Sequence, residues 1–215
     1  MKRLFLAAAV AAIVSAPIGA QRQADPDRKV AGGGTLPSGW KGRVDAGASL
    51  SGVKMMPMGG GMHFMTGPAG IYYKPTDKAS GTYEARATFT QMQPAEHPEA
   101  YGLIIGGADL EGAGQKYTYF LIRQDGKYLI KRRAGESTPT VADWTDNAAI
   151  RKADSSGKMS NTLAIEVGKD KVRFLVNGTE VTTADTAKVD TAGIAGLRIN
   201  HNLNVHVEGF TVKSR

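Results

Sequence analysis

Apolar and polar residues alternate with period two along much of the chain. Within residues 82–91, Tyr83, Ala85, Ala87 and Phe89 fall on one side, while Glu84, Arg86, Thr88 and Thr90 fall on the other. A two-residue period with one apolar side predicts a half-buried antiparallel strand. Residues 101–105 and 117–122 are apolar or aromatic on both sides, as in strands covered on both faces. Asp125-Gly126 follows, then a further run over 127–133. Asp-Gly between two such runs predicts a hairpin with a type I′ turn. The logic repeats later. Leu163, Ile165 and Val167 alternate, Gly168-Lys169-Asp170 turns the chain, and Val172, Phe174 and Val176 alternate again. Asn177-Gly178 predicts a second hairpin, with residues 179–182 returning. Residues 193–199 form another strand, followed by the inward set Leu203, Val205 and Val207. After Gly209 the apolar phase shifts to Phe210 and Val212, which predicts a glycine bulge.

Helical periodicity is almost absent. The best candidate is a short turn over 144–150, capped by Thr145 or Asp146. Roughly eleven to thirteen short strands separated by turn residues predict an all-β fold. Two packed antiparallel sheets fit the strands that are apolar on both faces better than a small barrel does.

The start of the sequence has a different character. Met1-Lys2-Arg3 is basic, and residues 4–16 are apolar apart from Ser15. Pro17-Ile18-Gly19-Ala20 then leads into a polar run. This is the pattern of a secretory signal, with cleavage after Ala20, although bulky Ile18 allows the site to shift. An uncleaved anchor is the alternative, but the apolar stretch falls short of the ~20 residues that span a bilayer. Residues 21–37, with Gly32-Gly33-Gly34, read as a flexible leader, and residues 38–215 as one sandwich domain. The expected location is periplasmic or secreted, with no stable membrane span after cleavage.

Composition narrows the function classes. The chain has 215 residues, 27 glycines and no cysteine. Disulfides, zinc-thiolate sites and cysteine nucleophiles are thereby excluded, and stability must come from an apolar core. The net charge of +7 falls to +5 once Lys2 and Arg3 are removed. The densest basic cluster, Lys131-Arg132-Arg133, reads as a solvated strand face, so nucleic acid is not an expected partner.

Several blocks occur in a recognisable order. Tyr117-Thr118-Tyr119-Phe120-Leu121-Ile122-Arg123 precedes Asp125-Gly126-Lys127-Tyr128, then Trp144-Thr145 and Asn161-Thr162-Leu163-Ala164-Ile165-Glu166-Val167. Val172-Arg173-Phe174-Leu175-Val176-Asn177-Gly178 and Gly193-Ile194-Ala195-Gly196-Leu197-Arg198 complete the series. From about Ser38 onward the chain resembles the concanavalin A-like lectin/glucanase jelly rolls. More narrowly, it resembles bacterial exported domains related to laminarinase-type glycosidases and keto-disaccharide hydrolases. The resemblance implies a two-sheet antiparallel jelly-roll sandwich whose concave sheet binds a carbohydrate or cell-envelope ligand, with no cofactor.

The chemistry of the enzymes is not visible in the sequence. Glycoside hydrolysis uses two carboxylates flanking the scissile bond, which laminarinase-type relatives carry as Glu-x-Asp-x-x-Glu. No such triplet exists here, and the nearest acids, Asp109 and Glu111, sit in a glycine-rich loop. There is no G-x-S-x-G motif either. A non-catalytic module is therefore expected, with a hydrolase using Asp109 or Glu111 as the alternative.

Two groups of residues carry candidate chemistry. His97, Tyr101, Arg133, Trp144, Arg198, Asn200 and His201 fall on expected neighbouring strands. They combine rings that stack on sugars with planar donors that reach hydroxyls. The second group is a methionine-rich stretch. Met55, Met58, Met62, His63 and Met65, with Met56 among them, surround Gly59-Gly60-Gly61. Thioethers with imidazole suit Cu(I), while the plainer reading is core filling beside a glycine loop. His206, between Val205 and Val207, reads as an ordinary sheet-face histidine.

Overall fold

A computed structural model describes residues 25–215 except Ala46. The expected signal peptide lies outside the described residues. Fourteen strands account for most of the rest. In chain order they are β1 (Lys41–Val44), β2 (Val53–Met58), β3 (Gly61–Thr66), β4 (Gly70–Ala79), β5 (Tyr83–Gln91), β6 (Ala100–Ala108) and β7 (Lys116–Arg123). There follow β8 (Lys127–Ala134), β9 (Thr140–Asp146), β10 (Met159–Val167), β11 (Lys171–Val176), β12 (Thr179–Asp185), β13 (Gly193–Ile199) and β14 (Asn204–Ser214).

The strands form two seven-stranded antiparallel sheets packed as a sandwich. The front sheet has the order β1-β4-β13-β6-β7-β8-β9, and the back sheet β12-β11-β10-β5-β14-β3-β2. β13 therefore lies between β4 and β6, and β14 between β5 and β3. The two latest strands are interior members of the two sheets.

The core fills the space between the sheets, and alternation decides which residues enter it. Three aromatic pairs cross the gap, each with one ring from either sheet. Phe64 meets Tyr72 at 5.0 Å, Phe89 meets Tyr101 at 5.4 Å, and Phe120 meets Phe174 at 5.3 Å between centroids. All six are fully buried, and burying each such side chain stabilises the fold by ~1.5–3 kcal/mol. The Asn161 side chain, also fully buried, is bonded to both backbone groups of Arg151 and to Asn177.

The turn expected over 144–150 is shorter than that span. Trp144, Thr145 and Asp146 belong to β9, and only Asn147–Ile150 turns, closed by Ile150 N–H donating to the Asn147 carbonyl at 3.1 Å. Among the described residues the helical pieces are two 3-10 turns, Leu50–Gly52 and Thr186–Lys188. No helix among them is long and apolar enough to cross a membrane.

The two hairpin expectations divide. Asn177 (φ 52°) and Gly178 (φ 82°) both take positive φ, as a type I′ turn requires. Asp125 does not. Gly126 N–H donates to the Arg123 carbonyl at 3.0 Å and Gly126 alone has positive φ, 89°. This is a three-residue connection, a type I turn followed by a left-handed glycine. The bulge expected in the last strand is present: β14 shifts register against β5 between Glu208 and Thr211, spanning Gly209.

The described part of the leader lies against the domain. Asn202 donates to the Asp25 carboxylate and the Pro26 carbonyl at 3.1 Å each, and accepts from the Arg28 N–H at 2.7 Å. Gly34 N–H donates to the Val53 carbonyl, and Leu36 packs on the core.

Candidate functional site

The outer face of the front sheet carries a second apolar layer. Ile71 and Tyr73 from β4, Ile104 from β6, Tyr117, Tyr119 and Leu121 from β7, and Leu129 from β8 are all buried there. Alternation places them: their strand neighbours Tyr72, Leu103, Phe120 and Ile130 enter the inter-sheet core. The loop after β6 folds over one end of this face. Leu110 packs onto the layer, and Arg43 of β1 donates to the carbonyls of Leu110 and Gly112 at 3.1 and 2.5 Å.

Charged groups stand over these rings. Arg198 of β13 pairs with Asp45 through two bonds of 3.3 and 3.0 Å, and its guanidinium lies 5.6 Å from the Tyr119 ring centre. Its side chain is only 14% exposed. Burial works against its charge, but Tyr117, Asp45 and Tyr119 outweigh that and hold the guanidinium more firmly protonated than usual. Burial pushes the Tyr117 and Tyr119 phenols up, with Arg198 pulling the other way. Tyr73 is pushed up to about 12 by burial and by Glu111, whose carboxylate accepts its hydroxyl at 3.2 Å. Glu111 in turn is held below the ordinary carboxylate value, first by its hydrogen bond from Lys41.

Arg43, Asp45, Gln115, Tyr117 and Arg133 surround a depression of about 200 Å³ in this face. Planar donors, an amide, a carboxylate and an aromatic wall thus share one small hollow, a combination suited to hydroxyl-rich ligands. A hollow of about 300 Å³ opens beside Trp40 at the side of the sandwich. Leu197, Val207 and Val212 line it with glycines and a single Lys74 and Asp77, so it is mainly an opening onto the inter-sheet core.

The seven residues expected to form one site separate into three groups. Arg133 and Arg198 share the outer front face with Tyr117 between them. Trp144 reaches that face from the edge strand β9, where the Arg123 guanidinium sits 4.5 Å from its ring centre. Tyr101 does not belong: it is fully buried against Phe89, because its place in the β6 alternation faces the other sheet. His97, Asn200 and His201 lie elsewhere, around the β5–β6 loop and the turn before β14. There His201 meets Glu99 at 2.8 Å and Asp25 at 3.6 Å through Nε2, and Asp27 at 3.5 Å through Nδ1. Asp25, Glu99 and His201 bring one donor atom each within 4.8 Å of one another. These contacts pin the leader to the domain.

Arg43, Asp45, Gln115 and Tyr117 were not singled out from the sequence as site residues. The Tyr117-x-Tyr119 spacing marks one face of β7, but Arg43 and Asp45 come from a four-residue edge strand and its exit, which have no clear alternation. The acids considered for hydrolysis are differently engaged. Asp109 turns its carboxylate back onto Gly112 and Gly114 of its own loop, and Glu111 is held by Lys41 and Tyr73.

The methionine set is likewise divided by alternation. Met55 is buried in the core and Met62 packs against it, so the set of Met55, Met58, Met62, His63 and Met65 does not gather at one point. Met58, His63 and Met65 belong to the opposite, outward side of β2 and β3.

No family model and no curated protein matches the chain, whereas solved structures do. The carbohydrate-binding module CBM66 from Bacillus subtilis aligns with a TM-score of 0.60 and 11% identity, over 82% of this chain and 96% of its own. The β-glucanase of Bacillus licheniformis aligns at 0.55 and 14% identity, over 84% and 94%. The fold is the concanavalin A-like jelly roll. A Bacillus subtilis protein of unknown function with a galectin-like fold aligns as well, at 0.54 and 13% identity over 81% and 89%. At such identities the likeness of these jelly rolls extends to architecture, and site chemistry must be read from this chain's own residues.

Proposed function

We propose that this jelly roll is an exported, non-catalytic module that binds a glycan or related cell-envelope ligand on the outer face of its front sheet. The observation that carries the reading is the hollow in which Arg43, Asp45, Gln115 and Arg133 meet the Tyr117 ring. The largely buried guanidinium of Arg198 holds the hollow's exposed acid, Asp45, in place. Its volume is below the ~300–1,000 Å³ of pockets for drug-sized ligands. Direct contact is thereby confined to a single sugar unit, with Trp144 a second contact farther along the sheet. Carbohydrate-binding and glycan-active proteins among the structural neighbours support this reading. The basic and apolar start of the chain supports export.

A glycan array tests the proposal. Wild type is expected to bind a defined subset of plant, microbial or host glycans. Arg133→Ala is expected to weaken that binding by about tenfold or more, the usual loss for a charge-assisted contact. Absence of binding by wild type across all three classes overturns it.

A further inference from the structure

On the outward side of the back sheet, the end formed by β2, β3 and β14 carries methionine and histidine. Strand register sets its composition row by row. Met56 of β2 stands opposite His63 of β3, His63 opposite His206 of β14, and His206 opposite Thr90 of β5. In the next row Met65 stands opposite Asn204, and the Met92 N–H donates to the Asn204 carbonyl from the other side. Met58 closes β2 opposite Gly61. Among the described residues the exposed large hydrophobic side chains are Met58, Met65 and Met92, all around this patch.

The two histidines at its centre are buried yet unsatisfied. His63 is 9% exposed and His206 8%, and their ring centres are 6.1 Å apart. Among the described residues neither Nδ1 finds a hydrogen-bond partner, and neither does the buried Asn204 Oδ1 beside them. Buried polar atoms are normally paired, and an orphan calls for an explanation such as an ion. The charged groups nearby are few. The Glu208 carboxylate lies 3.4 Å from His206 Nε2, and Lys54 stands opposite Met65.

We propose that this face binds a soft monovalent cation, Cu(I) or Ag(I), between His63 and His206, with the Met56 thioether as third donor and the thioethers of Met58, Met65 and Met92 around it. The donor types fit: thioethers select Cu(I), and neutral imidazoles accept the same ion. Spacing fits too. An ion midway between the rings is about 3 Å from each centre, the sum of a metal–nitrogen bond of ~2.0 Å and a ring radius of ~1.1 Å. Each histidine has an unpartnered Nδ1 to offer, and two nitrogens with a thioether suit a d¹⁰ monovalent ion. A structural zinc site would instead need four tetrahedral ligands drawn from cysteine, histidine and carboxylate. The residues differ from those suggested by the sequence. Met55 and Met62 drop out because they face the core, and His206 enters because register brings it beside His63, across from Met56.

The test is anaerobic titration of the full chain with Cu(I) against a chromophoric chelator. Ag(I) serves as a redox-inert probe, with the methionine methyl groups followed by NMR. One equivalent is expected to bind. The Met56 methyl signal is expected to shift on Ag(I) binding, while those of the core residues Met55 and Met159 stay in place. His206→Gln and His63→Gln are expected to weaken binding by about tenfold or more, as loss of a metal-supporting group does. Met56→Leu, which preserves side-chain volume and therefore the fold, is expected to weaken binding as well, and Met159→Leu to leave it unchanged. The proposal is overturned if no one-equivalent complex forms with either ion, or if folded Met56→Leu and both histidine variants bind like wild type. Glycan binding by the front sheet is read separately on the array, so either result stands without the other.

Discussion

Tyr73 shows how one residue of the outer front face responds to pH. Its phenol is pushed up to about 12, so it stays neutral in the folded protein where an unfolded chain has ionised it above 10. Its contribution to stability is complete below pH 10 and is lost as pH rises from there through about 12. Denaturation midpoints measured across that window are expected to fall, and to fall less steeply in Tyr73→Phe. An equal decline in the two proteins would mean that the other buried tyrosines, Tyr72, Tyr83 and Tyr101, carry the whole effect. At this scale the sequence was partly legible. Arg133 and Arg198 were identifiable as planar donors on strands, but Tyr101 has the same chemistry in the sequence as Tyr117. The two are separated only by which side of β6 and β7 faces the other sheet. Where both faces of a strand are apolar, alternation loses its power to assign that side.

Among the elements, the β11–β12 hairpin is the most fully specified. Asn177 takes positive φ, and its side chain accepts from Thr162 N–H at 3.0 Å and donates to the Ala149 carbonyl at 2.8 Å and to Asn161 at 2.7 Å. Asn177→Ala loses these bonds and strains the turn, and is expected to cost about 2–3 kcal/mol. Asn177→Gly loses the bonds but relieves the strain, and should cost less. Urea denaturation with unchanged slope measures both, and equal costs would remove backbone strain from the account. This hairpin was legible because Asn-Gly states its own conformation. Asp-Gly at 125–126 announced a turn but not its length, since Gln124 joins the loop. β9 was misread because its residues are mostly exposed and polar, so the periodicity had no apolar side to report.

At the level of the whole molecule, the class was legible and the arrangement was not. Many short strands with turn residues between them specify a sandwich, whereas strand order depends on pairings between residues far apart in sequence. Gln91 faces Val205, and Tyr101 faces Ile199. The outward faces were hidden for the same reason: His63 meets His206 only through register. The interior positions of β13 and β14 carry a consequence for how the molecule comes into being. Until residues 193–214 are available, β4 and β6 have no strand between them, and neither do β5 and β3, so four strands carry unpaired edges. Neither sheet can close before residues 193–214 have joined it. Non-local pairing of this kind is slow and exposes aggregation-prone edges meanwhile. A chain ending at residue 192 is therefore expected to remain protease-sensitive and aggregate rather than fold into a smaller sandwich, and a protease-resistant, monomeric truncation would refute that. Assembly of the sandwich therefore waits on β13 and β14, each of which fills the gap in one sheet.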